Sequence, residues 1–175
     1  MTTIEEDADL ASSTKLTTII MALPFLLTSS PGAAEVPEPI AAPGKSNILE
    51  VHAEGAQIYE CMAAKDGKLR WQFREPIAAL FLNGKTIGRH YAGPAWELSD
   101  GSAVTGKVAS RAPGATSKDI PWLKLDAASH TGSGQLSGAT IIQRINTRGG
   151  VIEGDCSSPG SLLSVPYSGD YVFLK

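Results

Sequence analysis

The chain has 175 residues, 42% of them hydrophobic and 19% charged, which suits one domain with a proper core and not a disordered chain. Its formal charge of −3 belongs to its beginning: setting aside residues 1–34 removes Glu5, Glu6, Asp7, Asp9 and Lys15 and leaves 14 acids against 14 bases. So balanced a body offers no basic stripe to a phosphate backbone or an anionic bilayer, which argues against nucleic-acid partners and electrostatic membrane docking.

Lys15 is followed by the charge-free run Leu16 to Leu27 and then by small and turn-forming residues up to Gly32-Ala33-Ala34. A positive flank, a short apolar centre and a small-residue exit are the parts of a secretory signal, with cleavage expected after Ala34 and a periplasmic or secreted destination. The run is too short, and too interrupted by Pro24, to span a bilayer. The alternative is an amphipathic helix packed on the domain, and the four acids ahead of Lys15 make a poor start for a signal. Residues 35–45, with three prolines and a glycine, read as an extended linker or lead-in strand, and 46–175 as the domain.

That domain reads as strands and turns. Gln57 to Ala63 and Leu69 to Arg74 alternate around Lys65-Asp66-Gly67-Lys68, with Leu69, Trp71 and Phe73 on one face, as a hairpin requires. Glu75 to Leu82 has the best helical case, although Pro76 and Asn83-Gly84 leave room for barely two turns. Thr86 to Tyr91, Ala95 to Leu98, Ser102 to Ser110, Pro121 to Asp126, Ala139 to Thr147 and Tyr171 to Leu174 are further strands. Gly132 to Gly138 reads as a flexible hairpin tip, lacking the spacing of a phosphate loop. Turn signals about every ten residues point to an all-β domain, an antiparallel sandwich or barrel of short strands.

Cys61 and Cys156 are the only cysteines. Their separation lacks the spacing of redox catalysts, and in an exported chain a lone pair favours one structural bridge. Closing so long a loop is worth about 4–5 kcal/mol in the chain-entropy model.

Several phrases occur together: Gly55 to Cys61, Gly88 to Glu97, Asp100-Gly101-Ser102, Pro121-Trp122-Leu123, Ile142 to Gly150 and Val165 to Phe173. In combination they resemble the family catalogued as domain of unknown function 3455, over roughly residues 45–175. The resemblance implies an exported domain and assigns no catalytic residue.

The densest chemistry is Arg89 to Asp100, where His90, Tyr91, Trp96, Glu97 and Asp100 fall on a turn-linked pair of strands. An imidazole and a carboxylate there could act as base and orienter, or share a metal with a third ligand. The competing reading is a hydrogen-bonded corner with Trp96 in the core. His52, His90 and His130 have no pairwise spacing suited to a shared metal, so neither a metal nor another cofactor is expected. Arg144 shares a strand face with Ile142 and is either a ligand contact or part of a solvated face. A serine triad lacks its nucleophile elbow, and a glycosidase pair drawn from Glu60, Glu97 and Asp100 rests only on their presence. The favoured expectation is a non-enzymatic exported β domain that binds a small molecule or envelope component around His90, Tyr91, Trp96, Glu97, Asp100 and Arg144. The alternatives are a small extracytoplasmic hydrolase or metal enzyme using the same cluster, and a structural envelope protein without ligand.

Overall fold

The alternating runs become eight antiparallel strands in a computed structural model that describes residues 35–175. They are β1 (Asn47–Ala63), β2 (Leu69–Leu82), β3 (Lys85–Tyr91), β4 (Ala95–Leu98), β5 (Ala103–Ala112), β6 (Trp122–Thr131), β7 (Ile141–Gly149) and β8 (Leu162–Leu174). Each pairs with its neighbour in sequence, and β8 returns to pair with β1 from Asn47↔Leu174 to Glu60↔Leu162, closing a barrel. The fold is therefore the barrel of the two architectures expected. Closure leaves no exposed sheet edge.

Tight turns set the order. Asn83 and Gly84 both have positive φ (51° and 74°), as a two-residue hairpin turn between β2 and β3 demands. The segment with the best helical case, Glu75 to Leu82, is part of β2. Ala78 and Leu80 alternate inward there and belong to the core, so a period of two decides the conformation. Pro76, which has no N–H to give, sits close to the register shift that falls between Ile58 and Tyr59 of β1.

Eight strands enclose an interior just wide enough for side chains or one small ligand. Its middle is filled: Leu80, Trp96, Val104, Leu125, Ile142, Tyr171 and Phe173 are buried together. Each such large apolar side chain contributes roughly 1.5–3 kcal/mol on leaving water. Trp96 meets Tyr171 and Phe173 edge-on, at centroid distances of 5.2 and 6.1 Å. Gly106 on the neighbouring strand gives the indole its room, since a Cβ there would lie 3.2 Å from the Trp96 ring. On β1 the outward positions Glu50, His52 and Glu54 are charged or polar and exposed, while Leu49, Val51 and Ala53 point in. No helix among the described residues is long and apolar enough to cross a membrane.

One end of the barrel is plugged by the β6–β7 connection. Gly132 to Gly138, expected as a flexible tip, contains a 3-10 turn at Gln135–Gly138 whose Leu136 is wholly buried in the core. Asp100 fixes that plug from the β4–β5 turn. It accepts from the Ser102 backbone N–H (2.9 Å), the Ser102 hydroxyl (2.6 Å) and the Gln135 backbone N–H (2.8 Å). Residues 35–45, expected as an extended linker, lie against the outside of the barrel. Ile40, in a 3-10 turn at Glu38–Ile40, packs with Ala112, Trp122, Ile145, Val172 and Leu174, and its carbonyl accepts from Gln143 (2.6 Å). The segment is thus a strap belonging to the domain, held by one apolar side chain that composition alone does not single out. The expected signal at residues 1–34 lies outside the described residues.

Candidate functional site

The other end of the barrel is open, and its walls rise unevenly. The β1–β2 hairpin runs on past the barrel body, and the β7–β8 connection folds up against it. Cys61 and Cys156 form the expected disulfide there, with Cα atoms 5.8 Å apart. Backbone bonds flank the bridge: Cys61 N–H to the Ser161 carbonyl (2.9 Å), Gly160 N–H to the Cys61 carbonyl (2.9 Å) and Cys156 N–H to the Leu69 carbonyl (3.1 Å). Below it, the Tyr59 hydroxyl donates to the Gly150 carbonyl (2.7 Å). Gly150 has φ +86°, and a Cβ there would come within 2.9 Å of Ile120 and Tyr167. The β5–β6 connection forms a further wall. Asp119 caps it by accepting from Thr116 and from the Gly149 N–H, and these bonds hold its carboxyl below the usual carboxylate range.

Between these walls lies a cavity of about 520 Å³, within the range of small-molecule sites. Its apolar lining includes Phe73, Pro76, Pro94, Val108, Ile120, Leu123 and Val151. Its polar lining is Gln57, Tyr59, His90 and three arginines, Arg74, Arg111 and Arg144, with no aspartate or glutamate. Register explains two of those arginines. Arg111 pairs with Leu123, Leu123 with Arg144 and Arg144 with Tyr171, one row crossing four strands. Leu123 and Tyr171 belong to the core, so the row faces inward.

His90 is 2% exposed and lines the cavity, stacked on Trp96 at 4.6 Å with ring planes 13° apart. Its Nδ1 lies 2.8 Å from the Ala95 carbonyl, which accepts but cannot donate, so the proton sits on Nδ1 and Nε2 is left as an acceptor. Burial pushes the imidazole down to about 4, opposed by that carbonyl and aided by the charge of Arg144. It is therefore neutral at physiological pH. Tyr167 and Tyr171, whose hydroxyls lie 3.4 Å apart, are pushed upward by burial. The Arg144 charge favours the ionised forms of Tyr59, Tyr167 and Tyr171 and disfavours that of His90.

The residues singled out from the sequence separate into three places. His90 and Trp96 pair across β3 and β4 and face inward, and Arg144 joins His90 on the cavity lining. Tyr91 and Glu97 lie on the outer face with Arg89. Arg89 donates to both Glu97 carboxylate oxygens (3.1 and 2.9 Å from Nη2) and stacks over Tyr91 at 5.2 Å, and the Tyr91 hydroxyl donates to Glu97 (3.0 Å). Those hydrogen bonds, from Arg89 first, hold Glu97 below its usual range. Asp100 sits at the plugged end, drawn down to about 2 by the donors already described. The imidazole and the carboxylate of the expected cluster thus stand on opposite faces of one hairpin.

The three histidines also part company. His52 pairs with Asp170 (2.7 Å) on the outer wall, and His130 Nε2 lies 2.8 Å from the Ala139 carbonyl at the plugged end. Gln57, Tyr59, Arg74 and Arg111 were not singled out from the sequence. Gln57 had a signal: it interrupts, at an inward position, the run Val51, Ala53, Tyr59 and Cys61 of core residues. Arg74 is the unpaired residue at a register shift and Arg111 follows one, and such a shift changes the face a side chain takes.

A formed disulfide in a chain with no free cysteine is compatible with export to an oxidising compartment. No curated protein and no solved structure matches the chain. A family model described as protein of unknown function, DUF3455, matches residues 42–86 and 81–175, which takes in the strands of the barrel from end to end. The chain is a member of the DUF3455 family, and its barrel with one plugged and one open end is the form that this sequence gives it.

Proposed function

We propose that this protein is an exported, non-enzymatic binding barrel that takes one small molecule into its open end. The observation that carries this reading is the cavity of about 520 Å³ above the His90–Trp96 stack, walled by apolar side chains with a few convergent polar groups. Eight-stranded barrels have room for one such ligand when the middle is filled and one end is not. A ligand there would exchange water for Phe73, Val108, Ile120 and Val151, and would meet the neutral Nε2 of His90 at the cavity lining.

Binding is favoured over catalysis by the company His90 keeps. A general base works with an orienting group that stabilises its protonated form; here an uncharged backbone carbonyl orients the ring, and burial outweighs it in disfavouring the imidazolium. Glu97, the carboxylate that a hydrolase or metal site would need, serves an exposed Arg89–Tyr91 cluster on the other face. Among the described residues no group of three His, Cys, Asp or Glu side chains is arranged to hold a metal ion.

The test is a thermal-shift screen of the mature protein against small amphiphiles of every charge type. Compounds that occupy the cavity should raise the melting temperature, and the rise should vanish in Val108→Trp, whose indole fills the space. A screen with no stabilising compound, or shifts that survive Val108→Trp, removes the reading. Turnover of any bound compound that is lost in His90→Phe would favour an enzyme instead.

A further inference from the structure

The charges around the cavity are unequal in a way the fold does not require. Of its three arginines, Arg74 is answered by its neighbours, with Glu75 at 3.2 Å and Glu60 at 3.6 Å. Arg111 and Arg144 make no ion pair among the described residues. Arg111 is exposed at the rim, but Arg144 is half-buried. Its Nε and Nη2 both donate to one backbone carbonyl, that of Pro121 (3.1 and 2.8 Å), and its guanidinium meets no carboxylate. The Tyr171 hydroxyl is a further partner of Arg144. A guanidinium carries five N–H donors, so one carbonyl and one hydroxyl still leave it able to bind another acceptor.

A second, independent group says the same. Gln57 is 3% exposed and lines this cavity, and its amide Nε2 is buried with no hydrogen-bond partner. Leaving such a donor unpaired costs about 1–3 kcal/mol, which a fold tolerates where a partner arrives from outside. Gln57 and Arg144 line the same space, where a turn of the Gln57 amide would bring its unpaired N–H group to a ligand, and no lining side chain presents a carboxylate.

We infer that the open cavity selects an amphipathic carboxylate, its head group on Arg144 with the Gln57 amide turning to meet it, and its apolar body against Phe73, Val108, Ile120 and Val151. This rests on the binding reading above and adds the class of ligand to it. The planar fork of a guanidinium matches a carboxylate with two parallel hydrogen bonds. One half-buried cation balances one negative charge; the second charge of a phosphate dianion would fall to Arg111, which is exposed at the rim and weakened there by solvent. An amine would meet Arg144 and Arg111 without a carboxylate to receive it.

The experiment is isothermal titration calorimetry of the mature protein with matched series on one skeleton. These are decanoate, decanol and decylamine, and the corresponding carboxylate, carbinol and methylamine of naphthalene. Within a series the carboxylate should bind about 10- to 100-fold more tightly than the alcohol, the worth of a charge-assisted pair, and the amine weakest. Arg144→Met should erase that preference, lowering carboxylate affinity while leaving the alcohol's equal or better. Arg89→Met, on the outer face, should change neither. Alcohols or amines binding the wild-type protein as tightly as carboxylates would overturn the selectivity and leave the binding barrel standing, as would a carboxylate preference that survives Arg144→Met. No binding by any member of either series would overturn both.

Discussion

At the plugged end of the barrel, cohesion comes from filling: Leu136 is driven into the core and Asp100 pins the turn that carries it. At the open end the lumen is left vacant, and the walls are tied from outside by the Cys61–Cys156 bridge and the Tyr59–Gly150 hydrogen bond. The same eight strands supply both ends, so the difference lies in the connections. A barrel that needed only to be stable would fill both. Tying the walls of an empty end keeps a ligand-sized space open without letting it collapse, because a wall held covalently does not need the lumen side chains to hold it.

The largest expected effect tests whether the two kinds of cohesion are separate. The double substitution Cys61→Ala with Cys156→Ala removes a crosslink across 95 residues, with a ceiling of about 4–5 kcal/mol in the chain-entropy model. It should also weaken whatever binds the cavity, since Gly150 and Val151 stand on the loop the bridge holds. Leu136→Ala should cost about 2–5 kcal/mol through the cavity it leaves, with binding unchanged. Urea unfolding beside calorimetric titration reads both quantities. Equal losses of affinity in the two variants would mean that the ends are one cooperative unit and that the contrast has no functional meaning.

The next effect concerns the layer where filling stops. His90 is held neutral in the fold down to about 4, whereas a free imidazole gains its proton near 6.5. Between those values the unfolded chain binds more protons than the native one, so stability rises with pH across this window. Run in the other direction, stability is lost as pH falls from about 6.5 to 4 and levels below, by roughly 3 kcal/mol for this group. Unfolding free energies measured along that range should show the loss in the wild-type protein and a flatter profile in His90→Phe, which keeps a ring against Trp96. A wild-type profile as flat as the variant's would place His90 in contact with water from the open end.

Much of the barrel's wall was legible from alternation. Leu69, Trp71 and Phe73 share a face as expected, Asp66-Gly67 and Asn83-Gly84 make turns, and Cys61 is bonded to Cys156. The return of β8 to β1 was not legible, because pairing Asn47 with Leu174 is a contact between chain ends that no local pattern encodes. Nor was the plug: Leu136 is one apolar residue among glycines and serines, and only the hole it fills gives it meaning. The candidate cluster was half legible. Its residues lie where the sequence put them, but which of His90 and Glu97 faces in depends on the pair that closes the β3–β4 turn, Tyr91↔Ala95. Arg144 shares the inward face with Ile142, as its spacing required, while Asn146 leaves that face at a register shift, with φ 53°, and bonds Asp170 outside.

The smallest expected effect bears hardest on the open end. A half-buried cation that meets one carbonyl and one tyrosine hydroxyl, and no carboxylate, contributes little to the fold and is costly to desolvate. Arg144→Met keeps the length of the side chain, removes the charge and adds apolar contact with Leu123 and Tyr171 across the sheet. Stability should therefore rise by about 0.5–1 kcal/mol, read as a higher urea midpoint with an unchanged slope. A residue whose loss stabilises the protein while abolishing selective binding is retained for the ligand. A loss of more than about 1 kcal/mol would instead assign Arg144 to holding Pro121 in place. The open end would then owe its arginine to the wall of the cavity and not to what the cavity receives.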